Sequence, residues 1–374
     1  MVLRVDYLIF TYMFLALCML FFDFGYLGWK RWFDVHEPKK AERYRQHMVL
    51  MLLNSDTYRL SPEREKHIAR KLRHYTNLLT FHETVSEILL TDDYGPMMKR
   101  WIVENRELFL KISESYLKGD SQKGDNQIKK ALFAYVVWHY GLCTPREGDP
   151  FAKLLYKICR EPSLYCRENA LCGLYVSGST AHVVKAYRLL TQWGVEHNQR
   201  LVTDGLMLFA GDHNALAEAL WAHWDEFSDF YHASFINYIR MTSDRFGSRF
   251  FHLLQTQDVE KEVKFSILRY FRRYYDRDAE HYLQEVVRNR DQVDWEFASV
   301  AALALENYPG VESVEALLEA CHSAHFYVRN NAAESLLKIA KPHIFRDILA
   351  RETDPFTKEM LTYKCLKTQE VPAL

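Results

Sequence analysis

A chain of 374 residues with 48 Lys+Arg against 49 Asp+Glu is long enough for a large core or several domains and carries almost no net charge. Its 14 Gly and 10 Pro are about half the usual share, and no G-x-G-x-x-G or G-K-[ST] sequence occurs, so strand-rich sandwiches and nucleotide-binding parallel sheets are disfavoured and long helices are expected. The neutral balance also argues against a dedicated nucleic-acid binder, which carries a strongly basic domain.

The first predicted element is a transmembrane helix within residues 1–29. Tyr7 to Phe22 reads YLIFTYMFLALCMLFF without a charge, and Asp23 is the one carboxylate, and the one charge, between Asp6 and Lys30. At 1.5 Å per residue this stretch crosses about 30 Å of hydrocarbon. A secretory signal peptide fits less well: only Arg4 precedes the apolar stretch, which is long, and no small-x-small site comes before Trp29-Lys30-Arg31-Trp32. A buried core helix would need a bundle able to surround all its faces. Lys30, Arg31, Lys39, Lys40, Arg43 and Arg45 follow the segment, so the positive-inside rule predicts a single-pass cell-membrane protein with its C-terminal part in the cytoplasm. Tyr26, Trp29 and Trp32 fall at the inner interface. Seven cysteines, an odd number without a C-x-x-C, fit reduced packing residues of such a domain.

Residues 30–143 form a basic juxtamembrane and helical region. Between Lys30 and Tyr75 twelve Lys/Arg oppose six acidic residues, a local net charge of +6, which leaves residues 76–374 at −6. Lys30, Arg31, Lys39, Lys40, Arg43 and Arg45 are therefore candidates for contact with anionic membrane lipid, at roughly 1 kcal/mol per base near the surface. The same charges also read as a solvated helix face and as the topology signal. Apolar spacing predicts helices over 41–54, 62–91, 95–118 and 125–142, with Ser61-Pro62 as a capped start and Gly119 to Gly124 (GDSQKG) as a polar loop.

A period appears in residues 144–374. The segment VRNNAAESLLKI from Val328 places an Arg early in a helix, small residues one turn later and aliphatics after them. Comparable segments anchor on positions 167, 200, 232, 262, 296, 329 and 358, spaced by 29 to 34 residues. Asp149-Pro150-Phe151 and Asp354-Pro355-Phe356 supply an Asp-Pro turn before a helix.

In these features the chain resembles HEAT-like repeat proteins, in their short bacterial form, from about residue 145 to 368. The resemblance is clearest in the last three repeats; between 198 and 275 aromatics replace the small residues. It implies an all-α fold, an α-solenoid of HEAT-like helix pairs with one N-terminal transmembrane helix, in which each pair buries its apolar face on its neighbours and the early Arg can bond a nearby loop. It implies a non-enzymatic scaffold that binds a protein partner, and chains of this kind accompany membrane glycosyltransferases making surface polysaccharide. HEAT-like repeats also occur in bilin lyases and alkylpurine DNA glycosylases, the enzyme alternative. A glycosylase needs a basic concave face, which a body at −6 does not favour, and a lyase needs no membrane helix.

Few residues point to chemistry, and no cofactor or metal is expected. Cys321, His322 and His325 are three possible ligands within five residues, but they lie in an inter-helix turn without a spaced fourth ligand. No G-x-S-x-G, H-E-x-x-H or paired Cys/His nucleophile signature occurs. The densest binding candidate is Arg269 to Arg277 (RYFRRYYDR). Helical spacing sets Arg269, Arg272 and Arg273 along one side with Arg277, and lets Phe271, Tyr274 and Tyr275 point inward. Arg269, Tyr270, Arg272, Arg273 and Arg277 are thus the candidate partner surface for an acidic segment, sugar or phosphate, against the plainer reading of a core aromatic stripe with a solvated basic face. Trp221, Trp224, Phe227, Phe230 and Tyr231 read as core.

Overall fold

The computed structural model describes residues 2–53, 58–118, 124–256 and 259–370, and all regular structure among them is helical. The chain packs as two compact units. The first comprises residues 1–143 and 150–173, the second 144–149 and 174–374.

The first unit contains α1 (Val2–Leu53), α2 (Pro62–Leu72), α3 (Tyr75–Leu89), α4 (Gly95–Glu104), α5 (Arg106–Leu117), α6 (Gly124–His139) and α7 (Pro150–Cys159). Helix α1 is unbroken for 52 residues, roughly 78 Å at 1.5 Å per residue. Sequence reading separates a membrane segment ending at Trp29 from a helix beginning near 41; the structure joins them, and Pro38 gives up one helical hydrogen bond without ending the run. Good helix formers follow it, and Gln46 Nε2 donates to Glu42 one turn earlier. Phe10–Arg31 has a mean hydropathy of 1.7 and is long enough to cross a membrane, and none of it is buried.

Two of the long predicted helices are each split. The 62–91 stretch breaks at Arg73-His74, where His74 is extended, and the 95–118 stretch breaks at Asn105. Asn105 is buried, donates its amide to the carbonyls of Trp101 (2.8 Å) and Tyr58 (2.7 Å), and accepts from the Leu60 backbone (2.8 Å). A polar side chain satisfied by a segment 45 residues away overrides the local helical pattern. Residues 119–123 of the predicted polar loop lie outside the described residues. Around these breaks Phe81 packs on Trp101, Phe109 and Tyr140, and Tyr116 stacks on Phe133 while donating to the Leu72 carbonyl.

Helix α8 (Leu164–Val176) has residues in both units. The second unit continues with α9 (Thr180–Gln192), α10 (Gln199–Leu206), α11 (His213–Ala222), α12 (Asp229–Thr242), α13 (Gly247–Leu254), α14 (Lys261–Arg273), α15 (Arg277–Arg288), α16 (Trp295–Ala304), α17 (Val311–Ala320), α18 (Phe326–Ile339), α19 (Pro342–Arg351) and α20 (Pro355–Glu370). Alternate helices form a row: α10 packs on α12, α12 on α14, α14 on α16, α16 on α18 and α18 on α20. On the other side α9 packs on α11, α13 on α15 and α15 on α17.

Every anchor of the sequence period falls in the first turn of a helix in the even-numbered series, from Arg167 in α8 to Lys358 in α20. Three of them do the same job. Arg167 donates back to the carbonyls of Glu161 and Pro162, Arg329 to those of Ser323 and Ala324, and Lys358 to that of Glu352. Each thereby ties its helix to the preceding turn and supplies a donor to its carbonyls.

Neighbours in the even-numbered row are held by small side chains and short polar bridges. Ala298, Ala301 and Ala302 of α16 and Ala332 and Ala333 of α18 are fully buried, which lets the two helices lie close. Asn331 Nδ2 donates to the carbonyl and hydroxyl oxygens of Ser299, Asn237 Nδ2 to Ser266 Oγ, and Thr203 Oγ1 to the Ser234 carbonyl. From α9 to α14 large aromatics fill the same role, with Tyr187, Tyr231, Phe235, Tyr238, Phe250 and Tyr270 all fully enclosed. The predicted core group divides: Phe227 and Tyr231 are buried, whereas Trp221, Trp224 and Phe230 remain half-exposed, with Trp224 stacked on His232.

Candidate functional site

The arginine-rich segment lies on the C-terminal half of α14, which is fixed from three directions. Phe246 N–H donates to Tyr270 Oη (3.0 Å), Tyr308 Oη donates to the Phe271 carbonyl (3.1 Å), and Tyr274 Oη donates to the Arg240 carbonyl (3.1 Å). These bonds correct the sequence reading in two respects. Tyr270 is fully buried in the core and presents nothing to a partner. Arg277 does not share the arginine face, because α14 ends at Arg273, Tyr274 is extended, and Asp276 caps the next helix by accepting from the backbones of Asp278 and Ala279. Of the aromatics expected to point inward, Phe271 does so, Tyr274 is half-buried, and Tyr275 is 58% exposed with its hydroxyl on Glu280.

Arg269, Arg272 and Arg273 remain together at i, i+3 and i+4 on one side of α14. A fourth arginine, absent from the sequence reading, joins them from α12. The Asn237 to Ser266 hydrogen bond sets the register of the two helices, so Arg240, three residues past Asn237, lies beside Arg269, three residues past Ser266. Arg273 reaches across the same seam, donating to Met241 Sδ. Arg240 is half-buried, and its Nε is enclosed without a hydrogen-bond partner. Burial, and then the neighbouring Arg269, Arg273 and Arg272 guanidinium groups, lower its pKa from the ordinary value.

The surrounding charges are ordered. Arg272 forks onto both oxygens of Glu306, which also takes Lys338; Lys338 meets Glu334, and Glu334 meets Lys364. This alternating line runs from α14 to α20. It stops at Arg272. Among the described residues no carboxylate pairs with Arg240, Arg269 or Arg273; Arg269 lies over the Phe265 ring and Arg273 over Tyr274. The period in the sequence held a signal for Arg240, since 240 and 269 are separated by 29 residues, the same as the spacing between positions 329 and 358.

Of the membrane-surface candidates, Lys30, Arg31, Arg43 and Arg45 are exposed on α1, and Arg45 pairs with Glu42 at 3.8 Å. The side chains of Lys39 and Lys40 lie outside the described residues.

Cys321, His322 and His325 do not converge on one point. The Cys321 thiol is buried, which pushes its pKa up to about 12, His322 is held between the Leu318 carbonyl and Glu352, and His325 stacks on Trp295. Among the described residues no group of three His, Cys, Asp or Glu side chains is placed to hold a metal ion.

One histidine cluster escaped sequence reading. Ser86 Oγ lies 3.5 Å from Nε2 of both His82 and His139, and His82 Nδ1 lies 3.2 Å from Tyr140 Oη. Among the described residues no carboxylate bonds either imidazole, so a Ser-His pair here lacks the acid that orients a catalytic base. Burial, aided by His139, pushes the His82 pKa down to about 4, below its ordinary 6.5. Its neutral form is therefore favoured on folding, and stability present above pH 6.5 is lost as the pH falls toward 4. Thermal midpoints should fall over that window, and His82→Phe, which preserves a ring against Tyr135 (5.1 Å between centroids), should flatten the fall; an unchanged slope would count against this account.

No protein-family model matches the chain, and no curated protein matches it in sequence.

Proposed function

We propose that the chain is a membrane-tethered scaffold: a single-pass helix holds an α-solenoid of HEAT-like pairs at the cytoplasmic face, where the α12–α14 surface binds the acidic segment of a protein partner. One observation carries the tether. The 22 residues Phe10–Arg31 have a mean hydropathy of 1.7, with Asp23 as the one charge before Lys30, and none of the span is covered by the other described residues, so in water it would expose a largely apolar cylinder. Exposed Lys30 and Arg31 at its end support the orientation and contact with anionic lipid. The alternating helix rows, with their period of 29 to 34 residues, support the repeat reading. The partner face follows from charge, because Arg269 and Arg273 lack the intramolecular carboxylates that neutralise Arg272 and Lys338. The resemblance to HEAT-like chains suggests a membrane glycosyltransferase of surface polysaccharide as that partner.

A photo-crosslinking residue in place of Met241, which is 44% exposed beside Arg273, tests the surface in intact membranes. One discrete adduct should form, and Arg269→Glu with Arg273→Glu should abolish it. An adduct that survives both reversals, or no adduct at all, would reject this face as the binding surface.

A further inference from the structure

We propose that Arg240, Arg269 and Arg273, with the Glu306-bound Arg272 adding charge beside them, form a receptor for a phosphoryl dianion, built across the seam between α12 and α14. This goes beyond the partner reading, since the site takes its ligand whether or not a protein supplies it.

The arrangement begins with register. Asn237 bonds Ser266, Tyr274 bonds the Arg240 carbonyl, and Arg273 bonds Met241, so the two helices are pinned at three levels and the four guanidinium groups are held together by the fold. Like charges gathered in this way repel, and a protein surface normally intersperses carboxylates among them. Here the carboxylate that pairs with the cluster, Glu306, is shared between Arg272 and Lys338. Asp276, on the following turn, accepts from the backbones of Asp278 and Ala279 as a helix cap. Arg240 is half-buried with its Nε enclosed and unbonded, so its charge is poorly satisfied within the fold and its terminal nitrogens are what it can offer an anion.

The chemistry of the ligand follows from what is unmet. Arg240, Arg269 and Arg273 each offer a planar fork of donors and a full charge. A carboxylate has two coplanar oxygens and a single charge, which satisfies one fork. A phosphoryl group carries nearly two charges and three strong acceptor oxygens directed apart, so it can bridge several guanidinium groups at once. Arginine rather than lysine at positions 240, 269 and 273 fits such planar, two-point contacts. The Phe265 and Tyr274 rings lie against Arg269 and Arg273, giving the two guanidinium groups flat apolar contacts that leave their in-plane N–H donors available.

The test uses the full-length chain in detergent, with thermal midpoints measured in sodium chloride, inorganic phosphate, a phosphoserine peptide and its serine counterpart, all at matched ionic strength. Inorganic phosphate should raise the midpoint by several degrees over chloride. A phosphoserine peptide that exceeds both phosphate and its serine counterpart identifies a phosphorylated side chain as the source; one that does not identifies a free phosphate or small phosphorylated solute. Arg240→Met keeps the aliphatic stem and removes the charge, so without phosphate its midpoint should equal or exceed that of the wild type, because repulsion is relieved, while the phosphate increment disappears. Arg273→Gln should behave in the same way. An increment no larger than that of chloride, or one retained in both variants, overturns the proposal. Loss of the crosslink at Met241 with an intact phosphate increment would remove the protein-partner reading and leave this site standing; the reverse result would do the opposite.

Discussion

Glu161→Ala should destabilise the N-terminal unit by about 3–5 kcal/mol, a large share of the stability of an ordinary domain. Lys130, on α6, is only 2% exposed, and its Nζ lies 2.8 Å from Glu161 Oε1. Gln127 Nε2 donates to the other carboxylate oxygen at 2.8 Å, and the Cys166 thiol in turn bonds Gln127. Removing the carboxylate takes the anion at 2.8 Å away from a buried ammonium group, and the loss of that compensation, rather than the worth of the pair, dominates the cost. The pair itself need not stabilise. Lys130→Met with Glu161→Leu should therefore recover most of the loss, because two apolar side chains of similar volume remove the desolvation penalty together. Urea unfolding of both variants, followed through the transition of the N-terminal unit, measures this. A single variant costing under about 1 kcal/mol, or a double variant as unstable as the single, would show that the ion is paired or hydrated in another way.

Neither Lys130 nor Glu161 stood out in the sequence, and the reason is general to this chain. Features repeated within one helix or at a fixed period could be read: the uncharged stretch before Asp23, the capped start at Ser61-Pro62, and the anchors that all fall in first turns of the even-numbered helices. Arg167, Arg329 and Lys358 could be predicted to bond nearby loops because their partners lie only five or six residues back. Features set by distant partners could not. Asn105 ends a helix through Tyr58 and Leu60, Lys130 is neutralised 31 residues away, and Arg240 meets Arg269 only because α12 and α14 lie side by side. Arg277 joins the arginine face only if the helix runs past Arg273, and Asp276 prevents that by capping the next one, whereas Tyr270 lies within α14 and is drawn into the core by Phe246 and Phe250 of distant segments. Joining α1 through Pro38 went against the usual rule for proline, and local sequence gave no sign of it.

The second large effect concerns the tether. Within Phe10–Arg31 there are nine Phe and Leu side chains, together worth roughly −4 kcal/mol on the insertion scale, while a carboxylate at the bilayer centre costs about 3 kcal/mol. Asp23 lies seven residues from Lys30, toward the end of the span, where the cost is smaller. The balance favours insertion, and Lys30, Arg31, Arg43 and Arg45 add attraction to anionic headgroups on the side where they are exposed. Removing residues 2–31 should move the protein from the membrane fraction to the soluble one, since the remaining body retains its own buried core. The most direct measurement is a carbonate wash of membranes carrying the full-length chain. The protein should remain in the pellet while the variant without residues 2–31 is recovered in the supernatant; full-length protein released into the supernatant would contradict the membrane-tethered scaffold.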